Sequence, residues 1–296
     1  MIKRRQFIQQ AAFMAAGLAL FRPSILGAAP SVKPSRTGIQ LYTLRSLLKP
    51  GTVQEVLEKV AAAGYKEVET YGFNPKGGFW GLSPEEFKRV LSANGLTSPS
   101  GHYGADAFFT KNGTKDDIMP LIEGAAAANQ AWFTIPWLAP GLRNSADDYK
   151  AIVEKLDQAA RLCKEAGLKL AYHNHDFEFE DHGGTTGMDI ILNQTDAEDV
   201  KVELDIYWAV FAGKDPVKMI KQHPGRFTMW HVKDMSKTNR KENTEVGNGS
   251  IDYKSLFAHA DKAGLKHYFV EQENNYTPDP YGSIASSAAF IKKAVL

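Results

Sequence analysis

The 296-residue chain holds a single cysteine, Cys163. One thiol cannot close a disulfide within the chain, and it cannot build a cysteine-based zinc site. In the helical stretch ARLCKEAG it reads as a small helix residue. Excess charge is also missing: 35 basic residues stand against 34 acidic ones, a formal net charge of +1. A chain so balanced offers no bulk positive field to phosphates, so nucleic acid is not an expected partner. The apolar stretch near the N-terminus, AAFMAAGLAL, has 10 residues, where a membrane-spanning helix needs about 20. No glycine-rich loop follows the first strand candidate, which runs into LYTLRSLL; a doubly wound dinucleotide fold usually carries one there.

What the N-terminus does contain is a three-part export pattern: basic residues in MIKRRQFIQQ, the apolar run, then the small-residue stretch LGAAP. Arg4-Arg5 followed by Gln6-Phe7-Ile8 resembles a twin-arginine signal, which carries folded proteins across a membrane. Residues 1–30 are therefore expected to be an export signal, cut at Ala28 or Ala29. The protein is expected in the periplasm, with no stable membrane insertion after processing. Residues 31–296 remain for the folded domain.

That remainder repeats one unit. A helical pattern ends in a small residue plus Gly or Asn, and a short apolar strand follows, as in AAAGYKEVETYG, SANGLTSPSGHYG, AAANQAWFTIPWL, KEAGLKLAYHNH and DKAGLKHYFVEQE. Glycine or asparagine there suits the left-handed position that closes a helix. GIQLYTLR (38–45), VKVELDIYW (200–208) and RFTMWHVKD (226–234) complete eight strands. Eight amphipathic helical patterns fill the gaps, several opening on a cap such as Ser83 or Ser145. Eight strands alternating with eight helices predict an α/β fold, a single (β/α)8 TIM barrel.

In such a barrel the chemistry gathers where the strands end. Alternation puts His173 and His175 of LAYHNHD on one face, Glu203 and Asp205 of KVELDIY on another, then His231 and Lys233, then Glu271 and Glu273. Strands five to eight thus send His173, His175, Glu178, Asp205, His231, Lys233 and Glu271 toward one mouth. A lone carboxylate at a strand end is more often a cap or an ion-pair partner. Several carboxylates with an imidazole on consecutive strands instead suit one divalent ion: Mn, Mg, Co, Fe or Zn. Tyr42, Glu69, His102, Trp137 and Trp208 lie near other strand ends and are candidate substrate contacts, with rim packing as their alternative role.

YHNHDFEF, VELDIYWAVFAGKDP, WHVKDM, GNGSIDY and FVEQEN together resemble the sugar phosphate isomerase/epimerase family of xylose isomerase-like barrels. The resemblance covers nearly the whole chain after the signal. It implies a divalent metal held by Glu, Asp, His and Glu from strands five to eight. Asp205, His231 and Glu271 match three of these positions. At the fourth, where many relatives carry glutamate in the strand, this chain has His173; Glu178, five residues later, is the expected ligand, with His173 or His175 as the alternative. The family's chemistry implies proton abstraction beside a carbonyl through a metal-stabilised enediolate, with His175, His173 and Lys233 as catalytic candidates. A sugar isomerase or epimerase is expected. A lyase or hydratase acting on oxidised (3-keto) glycosides is the alternative, and a non-catalytic sugar-binding barrel or an endonuclease-IV-like enzyme stands further off. The expected partner is a small sugar or glycoside, and a homo-oligomer is compatible with all of these.

Overall fold

The structure, a computed structural model, describes residues 36–295. The expected export signal lies outside them. Among the described residues no helix is long and apolar enough to cross a membrane.

Eight parallel strands close into a barrel: β1 Gly38–Gln40, β2 Glu67–Thr70, β3 Thr97–His102, β4 Trp132–Ile135, β5 Lys169–His173, β6 Val200–Asp205, β7 Met229–Val232 and β8 His267–Val270. Each pairs with its neighbours in chain order, and β8 returns to β1. Helices lie between the strands, as the repeat predicts. Asn129 (φ 59°) and Gly167 (φ 78°) take the left-handed backbone between helix and strand that this repeat needs. At Ser83 the hydroxyl accepts the Glu86 N–H, and the Glu86 carboxylate accepts the Ser83 N–H at 2.8 Å, a reciprocal cap ahead of the helix Pro84–Ala93.

The outward faces of the strands, among them Ile39, Val68, Phe133, Leu170, Val202, Leu204, Trp230 and Val270, join the helices in one apolar layer. Inside the barrel, Trp132, Ala171, Met229 and Phe269 form a separate apolar cluster. Gly38 makes room for it: a Cβ there would lie 2.6 Å from the Phe269 ring and 2.7 Å from the Tyr268 carbonyl oxygen.

Several strands end sooner than their apolar patterns suggest, β5 at His173 and β7 at Val232 among them. β1 stops at Gln40, whose side chain accepts the Tyr42 N–H at 3.0 Å and turns the chain into a 3-10 helix, Leu41–Leu44. β6 stops at Asp205, whose Oδ1 accepts the Trp208 N–H at 3.0 Å and caps the helix Ile206–Phe211. Tyr207 and Trp208 are therefore helical, and strand alternation does not govern where they point. After β7, Asp234–Met235 pairs with Asn243–Thr244 in a short antiparallel ribbon. The Asp234 carboxylate accepts the backbone N–H groups of Met235, Gly247, Gly249 and Ile251. This explains the GNGSIDY motif as a loop wrapped around one carboxylate, and a Cβ on Gly249 would come within 2.1 Å of it.

Candidate metal centre at the barrel mouth

Toward the C-terminal ends of the strands the lumen becomes ionisable. Asp205, His231 and Glu271 are all buried, and each offers one ligand-capable atom within 4.8 Å of the others. His231 Nδ1 lies 3.1 Å from Glu271 Oε2 and 4.0 Å from Asp205 Oδ2. From β5, His173 Nε2 lies 3.8 Å from the same Asp205 oxygen. These last two separations are too long for hydrogen bonds. They suit atoms that share one cation at about 2.1 Å each. Asp205 Oδ2 is buried and accepts no hydrogen bond, although the Lys233 ammonium stands 3.1 Å away.

The charge balance points the same way. Lys233 Nζ also lies 2.7 Å from Glu271 and 2.5 Å from Glu273. Two buried carboxylates, Asp205 and Glu271, and the part-exposed Glu273 face one ammonium. Burial opposes charge on His231, but Glu203 and Glu271 raise its ring well above the usual range, and a divalent ion would supply the positive charge that the ring proton now supplies. Burial pushes the Asp205 carboxyl up despite Lys233. Burial also opposes ionisation of Glu271, but Lys233 and His231 hold its carboxyl well below the usual range. The oxygen-and-imidazole donor set therefore fits a divalent cation, with Asp205, His231 and Glu271 as the residues that would hold it and His173 Nε2 nearby; a second ligand-capable group, His102, His173, Glu203 and His231, lies beside it.

Beneath this level lies a second layer of buried groups. Glu69 Oε2 is 2.7 Å from His231 Nε2, 3.2 Å from His102 Nε2 and accepts from Gln40 Nε2 at 2.8 Å; its other oxygen accepts from Ser100 at 2.5 Å. Glu203 Oε2 is 2.7 Å from His102 Nε2, 3.0 Å from His173 Nδ1 and 3.2 Å from His231 Nε2. Glu203 Oε1 is buried without a partner. Burial, with Glu69 beside it, raises the Glu203 carboxyl to about 7. Burial would depress His102, but Glu69 and Glu203 raise it to about 9.

Above the centre opens a cavity of about 460 Å³, lined by Tyr42, Tyr71, His102, Trp137, His175 and Glu271 among others. Tyr42 and Trp137 are the exposed large hydrophobic residues among the described residues, at 39% and 40%. The Trp137 ring stands edge-on to His175 with centroids 5.0 Å apart, and Phe177 stacks on His175 from another side. Burial and Lys233 lower His175 to about 3, so its ring is neutral, and its Nδ1 has no partner. Trp208 borders the site through His175 and Lys233, with ring-to-ring and ring-to-ammonium separations of 5.6 Å.

Two expected placements are corrected. Glu178 does not join the centre. It follows β5 on the side of Tyr172, whose hydroxyl donates to it at 2.6 Å, while the His175 N–H donates to its other oxygen at 2.7 Å. Both oxygens are thus committed, and burial raises the carboxyl to about 8. Glu69 is not at the rim; it is fully buried in the lumen, inside the His231–His102 layer. Two further residues of the site carry little signal in the sequence. Glu203 was signalled only by sharing a face with Asp205. Asn174, between the two histidines, receives the Asp205 N–H at 3.0 Å and donates to the Asp205 carbonyl at 3.3 Å, tying the ends of β5 and β6 together; nothing in the pattern of ligand types marks it.

The family model for xylose isomerase-like TIM barrels matches residues 57–294. An inosose dehydratase from Clostridium perfringens is 27% identical over 260 residues, covering 77% of this chain and 84% of its own length. A crystal structure of a sugar phosphate isomerase/epimerase from Parabacteroides distasonis superposes with a TM-score of 0.78 at 26% identity, over 90% of this chain and 97% of that one. The IOLI protein, crystallised with a bound zinc atom, shares the fold at a TM-score of 0.67 and 15% identity, over 88% of this chain and 100% of its own.

Proposed function

The chain belongs to the xylose isomerase-like TIM barrel family, and on that footing we propose that it is a divalent-metal-dependent sugar isomerase or epimerase that removes a proton next to a carbonyl. The observation that carries this reading is the buried Asp205–His231–Glu271 group beneath an aromatic-lined cavity. A bound divalent ion supplies positive charge beside the oxygens on which negative charge develops as the proton leaves. The chain's own residues do the rest. Glu271 and His175 line the cavity and are the groups placed to take the proton. Lys233 keeps Glu271 ionised and sits where it can face a carbonyl oxygen. Tyr42 and Trp137 present ring surface to the apolar face of a sugar.

Cations free to hold a phosphate are scarce at this mouth. Lys233 is shared among three carboxylates, Arg45 is bonded to the Glu273 carbonyl, and Arg143 lies over the Phe177 ring. This supports a neutral sugar or glycoside as substrate. The same proton abstraction followed by loss of a neighbouring group is the lyase reading, and the similarity to a dehydratase keeps it as the second one. Export through the Arg4-Arg5 signal belongs to the proposal; replacing both with lysine should hold the precursor in the cytoplasm, and normal export of that variant would end the twin-arginine route.

The test is a screen of ketoses and 3-keto-glycosides in D2O with the metal-analysed protein. The expected result is deuterium at the carbon beside the carbonyl, abolished by chelation and restored by a divalent ion. Sugar binding with no metal and no exchange would instead identify a non-catalytic barrel.

A further inference from the structure

Two imidazoles span the boundary between the upper and lower layers of the lumen. His231 places Nε2 2.7 Å from Glu69 Oε2 below and Nδ1 near Asp205 and Glu271 above. His173 places Nδ1 3.0 Å from Glu203 Oε2 below and Nε2 near Asp205 above. A carboxylate at such a distance takes a hydrogen bond, so a proton sits on the lower nitrogen of each ring. On His231 the upper nitrogen also lies within hydrogen-bond reach of Glu271, at 3.1 Å, and a cation bound there would take the place of that proton. His173 Nε2 is then left with its lone pair toward the Asp205 oxygen that accepts no hydrogen bond, and His231 Nδ1 would gain a free lone pair once a cation displaced the proton it shares with Glu271. Both carboxylates are fully buried and keep no contact with the cavity.

We propose that Glu69 and Glu203 are positioning residues that lock His231 and His173 in the tautomers needed to ligate a cation from above. The inference rests on the cation site proposed for Asp205, His231 and Glu271. It adds that β5 contributes through a histidine–carboxylate pair, His173 with Glu203, rather than through a carboxylate ligand. His102 completes the layer by bridging the two glutamates at 3.2 and 2.7 Å, and its ring stacks on His231 at a centroid distance of 5.1 Å.

Cobalt titration of the apoprotein, read by visible absorption and by metal content, tests the inference. Wild type should take one equivalent. Glu203→Gln keeps the shape and an acceptor oxygen but loses the charge, and should bind cobalt about 10-fold more weakly with an altered ligand-field spectrum. Glu203→Leu, which loses the acceptor as well, should weaken binding by about 10- to 100-fold, as losses of such outer partners do. Glu69→Gln should behave like Glu203→Gln. Thermal unfolding of each apoprotein separates a binding defect from a folding defect, and the near-isosteric Gln variants keep the test open if the Leu variant does not fold. Cobalt binding by both Gln variants within about 2-fold of wild type, with unchanged spectra, overturns the inference. Two equivalents in wild type, with the second lost in Glu203→Gln, also overturns it by making the lower layer a cation site itself. No binding by wild type would instead fail the Asp205–His231–Glu271 reading.

Discussion

The two halves of the barrel lumen are lined through the same strand alternation and filled differently, with an apolar cluster and a Glu67–His267 pair at 2.8 Å in one and a dense group of carboxylates and imidazoles in the other. Toward the strand N-termini, Trp132, Ala171, Met229 and Phe269 make an apolar floor. Toward the C-termini the same faces carry Glu69, His102, His173, Glu203, Asp205, His231 and Glu271. The contrast shows that alternation decides only which side chains enter the lumen; what they do there depends on whether each ionisable group finds a partner. The carboxylates and imidazoles above the floor are buried, so they interact at low dielectric.

This comparison can be broken from either side. The largest effect belongs to the mouth. Asp205→Ala should leave bound metal far below stoichiometric, with affinity reduced by at least about 100-fold, since even partners of ligands are worth about 10- to 100-fold. Metal analysis of the purified variant checks this, and a fully metallated protein would show that the site is misplaced.

At the floor, Met229→Ala should cost about 2–5 kcal/mol of stability through lost burial and a cavity, read by denaturant unfolding of the apoprotein. The metal content of the folded variant should stay at the wild-type level. If it fell with stability, floor and mouth would not be the separate devices described.

A smaller effect sharpens the distinction between buried glutamates inside and outside the lumen. Burial raises Glu178 to about 8, while an unfolded glutamate titrates near 4.3. Its native form is therefore protonated where its unfolded form is ionised, so its contribution is full below about pH 4.3 and is lost as pH rises toward 8. Glu178→Gln has no such loss. The melting temperature of the variant relative to wild type should rise steadily from pH 5 to pH 8; a constant offset would mean that Glu178 is ionised in the folded state.

Much of this was legible in the sequence. The repeat of helix, small residue with Gly or Asn, and short strand marked five barrel strands and apolar alternation marked the other three, because helix closure and alternation are local effects; alternation fails only past points such as Gln40 and Asp205, where a cap starts the next helix. Asp205, His231 and Glu271 were legible for the same reason, each being an inward residue at a strand end. Glu178 reads as a ligand by residue type alone, while its direction is set by a turn after β5 that places it against Tyr172. Glu69 and Glu203 were hard to place because depth in the lumen depends on strand tilt and register, as in the pairing of His173 with Glu203 and of Asp205 with His231. That register belongs to the closed barrel, not to any one strand.

The central claim is that the cation site takes its β5 donor from inside the lumen. Side-by-side metal content of His173→Ala and Glu178→Gln tests it most directly and needs no substrate. The account predicts that Glu178→Gln retains one equivalent of metal while His173→Ala falls well below it. Metal lost from Glu178→Gln and kept by His173→Ala would contradict the account and return the ligand to the loop after β5.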